Sequence, residues 1–148
     1  MKVITITTAL AAASTAIAAP HAAKRDLYPI SATDLVASYY DQTKPETTIV
    51  AFKMSDPNTK IDTSCDAAWS IGQAGTLKFN CSNPTYQLSF PNGIYNVEDF
   101  MIEISRPDDS ESGLARAYGN NWKCEKYDGS YPSETCSWDG VFHVGVSA

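Results

Sequence analysis

Four cysteines carry the most definite chemistry in this sequence, at positions 65, 81, 124 and 136. Fifteen residues separate Cys65 from Cys81, and eleven separate Cys124 from Cys136. Neither interval gives the close pairs of a zinc site, so the sulfurs read as disulfides and not as metal ligands. Three pairings are open on sequence grounds. Short-range pairing, Cys65 with Cys81 and Cys124 with Cys136, is preferred. Each loop is then of the size for which cross-linking restricts the unfolded chain by about 3 kcal/mol. Crossed patterns stay open at this point.

The other reactive side chains form no catalytic set. Only one of the two histidines, His143, lies beyond the first 25 residues. It falls on the face opposite Phe142 and Val144 and is expected to meet solvent. One histidine supplies neither a pair for proton relay nor a pair of metal ligands. No G-x-S-x-G nucleophile motif is present. The carboxylates Glu98-Asp99, Glu103 and Asp108 to Glu111 could in principle form a hydrolytic pair. They fall in turns and on polar strand faces, where they read as solubilising charge. The stretch 108–111 also lacks the ligand spacing of a calcium loop. The chain is therefore read as non-enzymatic, with no cofactor and no metal. Asn80-Cys81-Ser82 matches a glycosylation sequon with Asn80 pointing outward, although a cysteine bound for a disulfide makes it a poor acceptor. Tyr127, Tyr131 and Trp138 lie in or beside the Cys124–Cys136 loop. Aromatic rings on a pinned loop bury area at low entropic cost, so these three are the candidate partner-binding residues.

The start of the chain is read as a leader. Met1-Lys2 is basic, Val3 to Ala18 is apolar and small, and Ala16-Ile17-Ala18 is a signal-peptidase pattern. Residues 1–18 are assigned as a signal peptide and 19–25 as a short pro-segment ending at the dibasic Lys24-Arg25. Residues 26–148 form a single domain. Cleavage removes three of the 11 basic residues and none of the 17 acidic ones, leaving a charge of about −9. The remaining cations are scattered. Nucleic acid and anionic membrane surfaces are excluded as partners, because both are bound through clustered lysine and arginine. A secreted, extracellular protein is expected.

Short alternating runs separated by turn residues follow. Leu27 to Thr33 reads as a lead-in segment and Asp34 to Tyr40 as a strand. Thr47 to Met54 is a strand with Val50, Phe52 and Met54 inward. Ile61 to Thr63 is a short strand. In Thr76 to Cys81, residues Leu77, Phe79 and Cys81 face inward. Tyr86 to Phe90, Phe100 to Ile104 and Leu114 to Tyr118 continue the pattern. Phe142 to Val146 reads as one terminal strand, and the second cysteine pair as a staple between the last two strands. The fold class is all-β, a small, disulfide-stapled antiparallel β-barrel or sandwich of about eight strands.

YYDQTKPET at 39–47, the first cysteine pair, SFPNG at 89–93 and Cys124-x11-Cys136 before an alternating end together resemble the Alternaria major allergen family. That family includes fungal hypersensitive-response elicitors. The resemblance spans about Asp34 to Val146. It implies an antiparallel barrel or sandwich of about eight strands with disulfides Cys65–Cys81 and Cys124–Cys136. It also implies a secreted fungal effector or elicitor, non-enzymatic, that triggers or modulates plant defence by binding a host defence protein or receptor. The allergen has an additional N-terminal cysteine that links two chains. The mature chain here has none before Cys65, so no covalent dimer is expected, and ligand binding at such a dimer interface does not carry over. The alternative class is a β-barrel carrier of a small apolar ligand.

Overall fold

The computed structural model describes residues 27–41, 46–70, 77–108, 110–129 and 131–148. The leader and the pro-segment lie outside the described residues. Eleven strands, and no helix, occur among the described residues. They are β1 (Ile30–Tyr40), β2 (Thr47–Asp56), β3 (Ile61–Ser70), β4 (Lys78–Asn80), β5 (Gln87–Ser89) and β6 (Phe100–Ser105). Then come β7 (Ser112–Ala117), β8 (Trp122–Lys126), β9 (Glu134–Trp138), β10 (Phe142–Val144) and β11 (Val146–Ser147). One sheet runs β3-β2-β1-β9-β8 with β10 also on β1; the other runs β11-β7-β6-β5-β4. All pairings are antiparallel. The two sheets pack face to face without closing into a barrel, so the architecture is a sandwich.

Strand β1 is the hub of the first sheet. Its whole length pairs with β2, while its other edge takes β10 at Ile30–Ala32 and β9 at Val36–Tyr39. The strand starts four residues earlier than its alternation suggests. Its register against β2 shifts between Thr33 and Val36, and Asp34 sits at φ 56°. One extra residue flips side-chain parity. Ile30 and Ala32 are therefore buried before the bulge, and Leu35 and Ala37 after it. Aspartate tolerates the left-handed conformation better than most residues, and its carboxylate pairs with Lys53 at 2.9 Å in solvent.

The interior is filled by side chains placed by strand alternation. Val50, Phe52 and Met54 of β2, Leu88 of β5, Ile102 and Ile104 of β6, and Tyr86 and Phe90 beside β5 are buried as expected. A chain of ring contacts crosses between the layers. Trp69 meets Phe90 at 4.5 Å, Phe90 meets Phe100 at 6.0 Å, Phe100 meets Trp122 at 5.7 Å, Trp122 meets Trp138 at 6.4 Å and Trp138 meets Phe142 at 4.8 Å. Tilted and edge-on rings at these spacings add about 0.5–1.5 kcal/mol per pair beyond area burial. Two sequence expectations differ. Leu77 is exposed, because β4 pairs only over Lys78–Asn80. The third strand is ten residues long instead of three, its buried positions being Cys65, Ala67 and Trp69. Ala67 is too small to mark an inward face in the sequence.

Both disulfides take the short-range pattern, Cys65–Cys81 and Cys124–Cys136, and no thiol is left free. They do different work. Cys65–Cys81 joins β3 to the end of β4 and so clasps the two sheets. Beside it, the Ser82 amide donates to the Ser64 carbonyl at 2.8 Å. Cys124–Cys136 lies within the β8–β9 hairpin, where the two residues face each other across the ladder. This is not the last strand pair, since β10 and β11 follow.

A buried polar knot ties the β2–β3 turn to the second sheet. Asp56 is fully buried, and it accepts from the Tyr86 hydroxyl, the Asn58 amide (2.8 Å) and Thr59 Oγ1 (2.8 Å). Burial by itself would raise the Asp56 pKa; these hydrogen bonds outweigh it and hold the carboxylate below its ordinary range. The same knot pushes the Tyr86 hydroxyl up to about 12, through burial first and then its bond to Asp56. Asn58 clamps the segment that leads into β1, accepting from the Tyr28 amide at 2.9 Å and donating to its carbonyl at 2.8 Å. It also reaches Glu111 at 3.3 Å. Glu111 is 5% exposed and its pKa is raised, by burial first and then by the charge of Asp56.

The expected terminal strand is split at Gly145. Its first part, β10, belongs to one sheet and its second, β11, to the other. The chain thus changes layers there, and it does so pressed against Gly113. A Cβ on Gly113 would lie 2.6 Å from Val146 Cγ1 and 2.7 Å from the Gly145 carbonyl oxygen. Backbone cannot yield as a flexible side chain can. Gly113→Ala is therefore expected to destabilise the fold by about 1–3 kcal/mol, as overpacking of a tight contact does. Urea unfolding followed by tryptophan fluorescence would measure this, and an unchanged midpoint would show that the crossing has slack.

Candidate functional site

The hairpin β8–β9 organises the most distinctive surface of the molecule. Its register sets Trp122 opposite Trp138, Cys124 opposite Cys136 and Lys126 opposite Glu134. These pairs share the inner face, and going toward the tip they run from core ring to disulfide to charge. The alternate residues Lys123, Glu125 and Tyr127 face outward and are exposed. The tip folds back on the end of β1. The Ser133 amide donates to the Tyr39 carbonyl at 2.9 Å, and the Tyr127 amide to the Ser133 carbonyl at 2.8 Å. The Ser133 hydroxyl bonds to Asp41, whose own amide donates back to Ser133 Oγ at 3.2 Å.

This frame positions the outer tyrosines. Tyr131 is 56% exposed, and its ring lies 4.7 Å from that of Tyr40. Tyr127 is 39% exposed and donates its hydroxyl to Glu125 at 2.6 Å. Both sit on the pinned tip, held by backbone bonds and a disulfide. Trp138 does not join them, which corrects its assignment as a contact residue. It faces inward, half-buried between Trp122 and Phe142, and its ring is committed to core packing. The sequence placed Trp138 beside the loop; the strand parity of β9 turned it inward. Asn80 is exposed at the end of β4 and accepts from Gln87 at 3.1 Å, and its neighbour Cys81 is bonded to Cys65. His143 faces outward, with Nδ1 3.4 Å from Ser31 Oγ.

Behind the tip, on the inner face, lies a cleft of about 250 Å³ that the sequence did not reveal. Tyr39, Thr48, Lys126 and Glu134 line it from the first sheet, and Ile94 to Val97 from the loop before β6. Lys126 Nζ sits 2.8 Å from Glu98 Oε1 and 3.9 Å from Glu134 Oε1. Burial first, and then its contact with Glu98, raises the Glu134 pKa despite Lys126. Lys126, Asn96 and Glu134 hold Glu98 low. The Tyr39 hydroxyl donates to Glu46 at 2.7 Å, which, ahead of burial, pushes its pKa up to about 12.

Beside the cleft, one lysine ammonium is shared between two carboxyls. Hydrolysis by two carboxyls needs them about 5–9.5 Å apart, with the scissile bond or a water between. The Asp56–Glu111 pair is buried and bridged by Asn58, so no substrate reaches it. The sulfurs of Cys124 and Cys136 lie within 4.8 Å of the Glu134 carboxylate, the spacing of metal ligands, but they are spent on each other.

No protein-family model and no curated protein matches this sequence. Among solved structures, the chain is similar to the crystal structure of the Alternaria alternata major allergen Alt a 1. The TM-score is 0.49 at 11% sequence identity, over 82% of this chain and 94% of that one. The likeness is too loose to transfer the role of any residue.

The shifted carboxyls set the pH response. Glu111 and Glu134 have folded pKa values raised above their unfolded ones. As pH falls from neutrality, the folded state binds protons before the unfolded chain does, so stability rises. Asp56, Glu98 and Asp99 are lowered, so below the ordinary carboxylate range the unfolded chain protonates first and stability falls. Thermal melts across this range should peak on the acid side of neutrality. Glu134→Gln and Glu111→Gln should each flatten part of the acid-side rise and leave the steep acid loss in place. A monotonic profile in the parent protein would contradict the assignment.

Proposed function

We propose that this chain is a secreted, non-enzymatic recognition protein that binds a host component through the outer tyrosine surface of the β8–β9 tip. The observation that carries the reading is the pinned, exposed pair Tyr127 and Tyr131, with the Tyr131 ring packed at a tilt against Tyr40. Rings held in place before contact lose little entropy on binding, which is what a hot spot requires. The oxidised state of all four cysteines favours an extracellular setting. Fungal origin and a plant host come from the sequence resemblance to the Alternaria allergen family, and with them the reading as an effector or elicitor that triggers or modulates plant defence.

The carrier alternative is weaker. The facing sides of the sheets are occupied by Tyr86, Leu88, Phe90, Ile102 and Ile104, all fully buried against one another. The cleft at the end of the sandwich is polar, whereas an apolar ligand needs an apolar enclosure.

The test is infiltration of the oxidised protein into leaves, with ion leakage and the oxidative burst as readouts. A Tyr127→Ser/Tyr131→Ser double variant should keep the parental melting temperature and lose most of the response. Full response from heat-unfolded protein would point to a linear epitope and overturn the proposal, as would full response from the double variant.

A further inference from the structure

The loop between β5 and β6 presents a second surface, away from the hairpin tip's outer face. Tyr95 is the most exposed of the large apolar residues described, at 82%. Exposure does not make its loop loose. Ile94 and Val97 on either side are buried, and the Val97 carbonyl accepts from Trp122 Nε1 at 2.9 Å. The Gly93 amide closes a turn onto the Phe90 carbonyl at 2.8 Å, and Asn96 Oδ1 caps the Glu98 amide at 2.7 Å. The ring thus stands on a loop fixed to the core.

Two clefts flank this ring. The one already described, of about 250 Å³, offers Lys126 and Glu134. On the other side, a cleft of about 340 Å³ offers Asp99 and Arg116, and Tyr95 and Asn96 belong to both walls. The polar groups on the second side are preset. Arg116 binds Asp99 through Nε at 2.7 Å and through its terminal nitrogen at 2.5 Å, while its guanidinium lies 4.8 Å from the Tyr118 ring. An open aromatic platform with an amide and a carboxylate on both sides, an ammonium on one and a guanidinium on the other, suits a flat, amphipathic unit. A pyranose ring is such a unit: its C–H face stacks on an aromatic ring, and its equatorial hydroxyls exchange hydrogen bonds at the edges. Two clefts that share one ring suit more than one sugar. The acidic balance of the chain disfavours uronates and other anionic sugars.

We infer that the 91–99 loop is a saccharide-binding site, with Tyr95 as the stacking platform for a neutral oligosaccharide laid across both clefts. The site is separate from the tyrosine surface of the hairpin tip, so either can fail without the other. Calorimetric titration of the full oxidised protein with laminarihexaose, cellohexaose and chitohexaose tests it. At least one should bind with a dissociation constant below about 1 mM. Tyr95→Ala, which removes a solvent-facing ring, should retain the parental melting temperature and weaken that binding roughly tenfold or more. Tyr28→Ala, which removes an exposed tyrosine held at Asn58, should bind as the parent does. No binding of any of the three sugars at about 10 mM, or binding unaffected by Tyr95→Ala, would overturn the inference.

Discussion

The β8–β9 register is the constraint on which the rest of this structure depends. Three cross-strand pairs on one face decide three things at once. Trp122 opposite Trp138 continues the ring chain that joins the layers, Cys124 opposite Cys136 locks the ladder, and Lys126 opposite Glu134 forms one wall of the cleft. A slip by one residue would put Trp122 and Trp138 on opposite faces of the hairpin, and one of the two would leave the core. The disulfide forbids that slip, because its two cysteines must face each other. The ring chain, the cleft and the tyrosine tip are therefore consequences of a single pairing.

The second sheet is held to the first by three contacts of different kinds. Cys65–Cys81 clasps one edge covalently. The Asp56–Tyr86 bond links the β2–β3 turn to the chain entering β5 through a buried charge. At the other edge, the chain itself changes layers at Gly145, and Gly113 lets it pass closely. Together these leave one end of the sandwich for the loop carrying Tyr95 and for the hairpin tip. Rigid layers place both sets of exposed rings on supports that do not need to reorganise on contact.

Most of the layer-forming pattern was legible in the sequence. Val50, Phe52 and Met54, then Tyr86, Leu88 and Phe90, then Phe100, Ile102 and Ile104 alternate cleanly, and all are buried. The short-range disulfides were favoured from loop size. Illegible parts have physical reasons. The bulge at Asp34 switches parity within β1, so neither face reads as apolar throughout. Small inward residues in β3 hide seven of its ten positions from a hydrophobicity count. Trp138 lies beside the loop in sequence, and only pairing with Trp122 shows that it faces the core. Tyr95 follows a Pro-Asn-Gly turn and so reads as an ordinary loop residue. Its signal was present in Ile94 and Val97, two buried anchors that leave the residues between them outside. The buried Asp56 and Glu111 had no sequence signal, since each sits among turn residues where carboxylates are ordinary.

We propose the pinned hairpin tip as the contact surface. Its most direct test is site-specific photo-crosslinking of the oxidised protein in plant apoplastic fluid. One sample carries a photoreactive phenylalanine at position 131, the other at position 143, which is exposed on β10 at the far end of β1. An adduct of defined mass from position 131, and none from position 143, is predicted. An adduct from 143 without one from 131, or none from either position, would contradict the account.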